Sequence, residues 1–421
     1  MEHITLLVGV VIVTALVFDF TNGFHDTANA MATTISTGAM KPKIAVAMSA
    51  VLNLAGAFLS VQVAKTISGG IIDEKSGVRP EVIFAALIGA IVWNLVTWLA
   101  GLPSSSSHAL FGGLIGATLV AVGLHGINGD AIMMKIVIPA VASPVVAGIA
   151  SFLATRATYR IARDAGPKAT SKGYRAGQVS SAALVSLAHG TSDAQKTMGV
   201  ITLALVSAGL VAPHSDPPVW VILVAATAMG LGTYIGGWRI IRTMGKGITD
   251  IQPAQGFAAQ TGAAATILAS SHLGFALSTT HVVSGAVMGT GLGRRGAVVR
   301  WITASRMAAS WIITLPAAGL VAGGATLLVD EGTWGLWVVT LLALAVCAGA
   351  YGAAQRRRID HTNVNDVEYV ENAVGAERAA ADVPAGAERF DAFAPPLSTT
   401  IAAPASRAVQ TPMQTQKETA L

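Results

Sequence analysis

Eleven apolar stretches occupy most of residues 1–358, at roughly 4–20, 44–64, 82–100, 109–123, 134–155, 180–212, 218–237, 257–275, 281–292, 301–323 and 334–354. Most approach the ~20 residues that a helix needs to cross the hydrocarbon core of a bilayer. Lipid offers no partner to backbone N–H and C=O groups, so continuous runs of this kind become helices whose hydrogen bonds close within each segment. The composition agrees, with 53% hydrophobic residues, 12% charged and a mean hydropathy of +0.61, against roughly 25% charged in a soluble domain. A soluble enzyme, a nucleic-acid binder and a disulfide scaffold are excluded. The one cysteine, Cys347, sits in an apolar run and reads as a small buried residue. Several stretches are short or interrupted. The expectation is therefore an all-α polytopic membrane protein with about 10–12 membrane segments, some of them discontinuous or re-entrant. Residues 4–20 lack a basic flank and a clear small-residue cleavage site, and read as a retained span rather than a signal peptide.

The net charge of +5 hides a split, because residues 359–421 hold nine acidic and four basic side chains and the remainder carries about +10. Those basic residues are dispersed between apolar runs, whereas a nucleic-acid face would gather them. Residues 156–178 form a basic loop, with Arg156, Arg160, Arg163, Lys168, Lys172 and Arg175 against Asp164. The positive-inside rule places it in the cytoplasm. Tracing the spans away from it brings Arg239, Arg242, Lys246, Arg294, Arg295, Arg300 and Arg356 to Arg358 to the same side. The Ala-, Pro- and Glu-rich tail has no apolar periodicity and is expected to be disordered and cytoplasmic.

A duplication runs through the chain. Gly23-Phe-His-Asp26-Thr-Ala-Asn29-Ala-Met31 aligns with Gly190-Thr-Ser-Asp193-Ala-Gln-Lys196-Thr-Met198. His108, in Pro103-Ser-Ser-Ser-Ser-His, follows Asp26 by 82 residues, and His281, in Leu277-Ser-Thr-Thr-His, follows Asp193 by 88. Two motifs recurring in one order at similar spacing mark an internal repeat. The charge-derived topology starts one copy outside and the other inside, so the repeats are read as inverted, a common plan for secondary transporters. The organisation expected is a first repeat over 1–155, a basic linker over 156–178, a second repeat over 179–325, an additional transmembrane helix over 326–358 and the acidic tail over 359–421.

Asp26 and Asp193 lie in apolar surroundings, where a carboxylate costs at least ~2.5–3.5 kcal/mol. Each needs a proton, a cation or dense hydrogen bonding, or else serves as the N-cap of a helix that restarts after a break. Asn29 offers an amide one turn on, and Lys196 an ammonium at the matching place. Ser106, Ser107, Thr279 and Thr280 open glycine-bearing helices, where free N–H groups and the helix dipole attract an anion. His108 and His281 serve either the structure of the break or ligand and proton contact. Asp19, two turns before Asp26, is a candidate for ion or proton passage without support from the duplication, since its counterpart is Ser186. Anion-seeking hydroxyls beside carboxylates imply coupling, because the anion binds well only once the carboxylates are protonated or ion-paired.

At these residues the sequence resembles the inorganic phosphate transporter (Pit) family. The carrying segments are Phe20 to Ala30, Ala188 to Lys196, Leu102 to His108 and Leu277 to His281. The resemblance implies phosphate uptake across the plasma membrane by inverted helical repeats, often as a homodimer. It implies phosphate contacts at Asp26, Asn29, Ser106, Ser107, Asp193, Thr279 and Thr280. The family's usual signature has Asn before each Asp, and here His25 and Ser192 stand there. This form is more similar to bacterial low-affinity members that use protons and can carry phosphate as a neutral metal complex.

The expectation is a proton-coupled phosphate symporter working by alternating access, with Asp26 and Asp193 linked to the proton or metal. Asn29, Lys196 and the hydroxyls ligate phosphate, and Asp19, His108 and His281 act as coupling or supporting groups. No tightly bound cofactor is expected; protons are the coupling ion and a divalent metal is a candidate co-substrate. Sodium coupling and other oxyanions remain alternatives. An intramembrane Ser/His/Asp hydrolase is the competitor from another class, disfavoured because no Gly-x-Ser-x-Gly elbow stands at a suitable place and the Ser/His set occurs twice.

Overall fold

A computed structural model describes residues 2–72, 78–164 and 167–366. Its α-helices run α1 (Glu2–Ser36), α2 (Pro42–Gly56), α3 (Gln62–Thr66), α4 (Pro80–Leu99), α5 (Ser106–Val122), α6 (Gly129–Ile132) and α7 (Ile138–Ile161). They continue with α8 (Pro167–Ser207), α9 (Val219–Ile235), α10 (Trp238–Lys246), α11 (Pro253–His272), α12 (Thr279–Gly293), α13 (Trp301–Val329) and α14 (Thr333–Arg356). Extended pairing among the described residues is confined to two isolated bridges, Ile72 with Ile127 and Thr249 with Val299.

Five of these runs are long and apolar enough to cross a membrane, namely residues 6–36, 80–99, 129–161, 301–329 and 333–356. The pair α9 and α10, bent by 68°, makes a sixth. This is fewer than the 10–12 segments expected, for a local reason. Helices α2, α5 and α12 have only 15, 17 and 15 residues, and α8 carries Asp193 and Lys196 in its middle. The short helices α5 and α12 and the polar middle of α8 build the site together with the long α1. The basic loop expected at 156–178 is mostly helical, since α7 runs to Ile161 and α8 starts at Pro167. Arg, Lys and Ala are good helix formers, so positive charge there did not imply irregular backbone.

The breaks in the two copies share one local design. Helices α4 and α11 are each followed by a left-handed glycine, Gly101 at φ 64° and Gly274 at φ 70°. Beyond it the amide of Leu102 donates to the Thr97 carbonyl at 2.9 Å, and that of Phe275 to the Ser270 carbonyl at 2.9 Å. This is the glycine C-cap that turns a chain sharply out of a helix. The hydroxyls of Ser105 and Ser278 then accept from the backbone N–H of His108 and His281, at 3.1 and 3.3 Å, and start α5 and α12.

The two copies interlock. Helix α5 of the first packs along α13 of the second, and α12 of the second along α7 of the first. In the same way α1 packs on α9 and α8 on α2. A Cβ at Gly112 would stand 2.2 Å from the Leu315 carbonyl oxygen, and one at Gly285 2.2 Å from that of Pro144. Gly23 and Gly190 make the matching approaches to Met229 and Asn53, at 2.4 and 2.1 Å. The motif glycines let helices of opposite halves touch backbone to backbone.

The stretch just after α14 is docked rather than free. The Arg242 guanidinium donates to the Asn363 carbonyl, Asn365 donates to the Ile35 carbonyl at 3.4 Å, and Val364 is buried beside α1 and α10. The remainder of the expected acidic tail, 367–421, lies outside the described residues.

Candidate functional site

Asp26 and Asn29 share one face of α1, and Asp193 and Lys196 share one face of α8. Both helices run unbroken through these residues, so the carboxylates are not N-caps of restarting helices. The breaks fall instead before α5 and α12. Their first turns bring Ser106, Ser107, Thr279 and Thr280 against the two acidic faces. All eight side chains are buried.

Some contacts lie within a half, and others join the two halves. Ser106 Oγ donates to Asp26 Oδ2 at 2.6 Å, and Thr280 Oγ1 to Asp26 Oδ1 at 3.4 Å. Asn29 Nδ2 donates to Thr279 Oγ1 and Thr280 Oγ1 at 3.2 and 3.1 Å. The Lys196 ammonium donates to Asp193 Oδ1 and, at 2.5 Å, to Ser107 Oγ. Thr279 Oγ1 in turn donates to Asp193 Oδ2 at 3.2 Å. Two carboxylates, an amide, an ammonium and four hydroxyls thus form one enclosed network to which each copy contributes four groups.

Two histidines complete it that the sequence reading did not assign as carboxylate partners. His25 Nδ1 stands 2.7 Å from Asp26 Oδ1, and His189 Nε2 stands 3.1 Å from Asp193 Oδ2. His189 precedes Asp193 by one helical turn, a spacing that places both on one face and was the available signal. Asn53 Oδ1 lies 3.2 Å from His189 Nδ1 and fixes that ring from α2. Gln195 Oε1 accepts from the amides of Val63 and Ala64 at 2.7 and 3.3 Å and anchors the start of α3. One ligand atom from each of Asp26, His189 and Asp193 lies within 4.8 Å of the others, a donor set able to hold a cation.

The other candidates sit apart from this network. His108 and His281 meet edge to face, ring centroids 4.7 Å apart, from the first turns of α5 and α12. His281 Nδ1 lies 3.1 Å from the Ala140 carbonyl oxygen, and its ring rests on Trp311, whose indole donates to the Pro103 carbonyl at 3.0 Å. Asp19 is buried two turns before Asp26 and joins none of these bonds.

A nucleophilic reading has one geometric opening. Ser104 Oγ lies 3.3 Å from His25 Nε2, whose ring reaches Asp26. The Ser104 hydroxyl, however, gives its proton to Thr97 Oγ1 at 2.8 Å. It is wholly buried, and an activated serine needs its hydroxyl directed at the base.

The helical architecture and this enclosed polar network, shared between two halves, define a multi-pass membrane protein with a central polar site. Residues 22–322 match the phosphate transporter family. A probable low-affinity inorganic phosphate transporter of Mycobacterium bovis is 54% identical over 359 residues, 85% of this chain and 86% of that protein. Its namesake in Bacillus subtilis is 44% identical over 317 residues, covering 75% of this chain and 95% of that protein. The solved structure titled the sodium-dependent phosphate transporter superposes with a TM-score of 0.70 at 23% identity, over 78% of this chain and 100% of that one, and bears on the fold. The chain belongs to the phosphate transporter family.

Proposed function

We infer that the chain carries inorganic phosphate across the plasma membrane by alternating access of two inverted halves, with protons as the coupling ion. The observation behind this reading is competition for donors. The hydroxyls of Ser106, Thr279 and Thr280, which suit phosphate oxygens, donate to Asp26 and Asp193. A phosphate anion must take those donors and also approach two carboxylates. At an effective dielectric of about 20, unit charges ~4 Å apart repel by about 4 kcal/mol, so one neutralised carboxylate strengthens anion binding by up to about a thousandfold. A proton shared between His25 and Asp26 releases Ser106 and Thr280 and removes that repulsion together. Linkage makes the effect mutual, so phosphate also draws in the proton. Lys196 supplies the fixed positive charge, while Asn29 and Ser107 complete the ring of donors.

Labelled phosphate uptake into proteoliposomes of the purified protein, under an imposed pH or sodium gradient, tests the reading. Uptake should follow the proton gradient, resist competition by sulfate and lose its coupling in Asp26→Asn. Full coupled uptake by that variant, or a requirement for sodium, overturns it. The Asp26, His189 and Asp193 cluster favours a second form of cargo, a divalent metal carried with phosphate. Uptake that needs magnesium and co-transports the metal at a fixed ratio is the outcome expected of that form.

A further inference from the structure

Asp19 is an acidic group that the phosphate network leaves out. Its side chain is wholly buried, and neither carboxylate oxygen has a hydrogen-bond partner. Around it stand Asn22, one turn on along α1, and Thr197 on α8. Both amide atoms of Asn22 and the Thr197 hydroxyl are likewise buried and unpartnered. Polar side chains that face one another without a well-formed hydrogen bond, in a packed apolar layer that includes Phe18, Ala194 and Met198, need an explanation.

The charged groups that face Asp19 are Asp193 and Lys196, both on α8. Lys196 is already committed to Asp193 and Ser107, so Asp19 has no cation of its own. Asp193 adds a like charge. Helix α4, which packs on α1, has Glu81 at its start as its one ionisable residue, and α9, also packed on α1, has Tyr234 near its end. A carboxylate held in this way without a counter-ion is far less stable charged than neutral. The oxygens at hand are too few for a well-coordinated metal, which takes six or more oxygen ligands in calcium and magnesium sites. A carboxylic acid, by contrast, has one O–H to donate, and the Asn22 carbonyl and the Thr197 hydroxyl are both free to accept it.

We propose that Asp19 is a proton-binding site of the transporter, distinct from the phosphate network and one residue away from it through Thr197 and Lys196. The inference deepens the proton-coupled reading above and rests on it for its role in transport. When the two halves move, the Lys196–Asp193 pair is the nearest charge to Asp19. Any shift of that ammonium toward Asp19 stabilises the carboxylate and releases its proton. Proton release would thus be tied to rearrangement around the bound anion.

Infrared spectroscopy of the purified protein in lipid tests the protonation state without any transport assay. A carboxylic acid C=O band, shifted in D2O, is expected in the wild type at neutral pH and should be absent in Asp19→Asn. Thr197→Val keeps the carboxyl and should move the band, a readout that survives if Asp19→Asn fails to fold. A band that persists unchanged in Asp19→Asn, or the absence of any band, overturns the proposal. In proteoliposomes with a pH-sensitive dye, Asp19→Asn should lower the protons moved per phosphate, while Asp19→Glu keeps the wild-type ratio. A wild type that ignores the pH gradient would defeat the coupling reading and leave the infrared result standing. A normal proton ratio in Asp19→Asn would defeat the assignment of Asp19 alone.

Discussion

The two halves hold their carboxylates in the same place and neutralise them differently. Asp193 is met by the Lys196 ammonium and by the His189 imidazole one turn away. Asp26 is met by His25, while the position matching Lys196 is the uncharged Asn29. Scaffold and hydroxyls are common to both halves, so the difference lies in whether an ammonium stands beside the carboxylate. On the proposed mechanism this makes Asp193 the half of the site held by an ammonium and Asp26 the half linked to the coupling proton. A symmetric site with two fixed cations would bind phosphate without needing a proton. One with none would repel it.

The largest effect should come from breaking the fixed pair. Lys196→Met or Asp193→Asn leaves a buried charge without its partner, which costs about 3–5 kcal/mol. Thermal unfolding in detergent should show the loss, and phosphate uptake should vanish. The double variant should recover most of the stability and none of the transport. Asp26→Asn should cost markedly less, because it leaves no ammonium without its partner. Equal destabilisation by Asp26→Asn and Asp193→Asn would erase the distinction between the halves.

Making the halves alike sharpens the comparison. Asn29→Lys places a second ammonium beside Asp26, and phosphate binding by calorimetry should then lose most of its pH dependence. Packing should be indifferent to the asymmetry of charge. Gly112→Ala and Gly285→Ala each press a methyl against a carbonyl of the opposite half, and each should cost about 1–3 kcal/mol. Their melting temperatures should fall together, and a large effect at only one would show unequal interlocking. The smallest change expected is at the docked segment after α14. Arg242→Ala removes its bond to the Asn363 carbonyl and should raise protease cleavage near residues 359–366, with phosphate uptake close to normal.

Much of the candidate site was legible in the chain because duplication exposes it. Asp26 with Asp193, and Ser106 and Ser107 with Thr279 and Thr280, stood out by recurring, and the fold brings all of them together. The backbone around the acidic motifs was harder to read. Asn22-Gly23 and His189-Gly190 carry polar groups and a glycine that costs a helix about 1 kcal/mol, which points to a break. The cost is offset in three dimensions, where those glycines admit the backbones of α9 and α2. The expected loop at 156–178 failed for a related reason, since charge marks a side of the membrane and says nothing about backbone regularity.

Sequence alone determined that this chain is a helical membrane protein, that it is built twice over, and which polar residues are too costly in lipid to be incidental. Those conclusions follow from the energetics of single residues and from their recurrence along the chain. Tertiary structure decided which partner each polar group has. Asn29 reaches across to Thr279 and Thr280, Lys196 to Ser107, and His189 stands beside Asp193. It also decided that Asp19 has no such partner. Hydrogen bonds and charge pairs act over a few ångströms, and residues 89 to 254 positions apart come that close only when the two halves have packed.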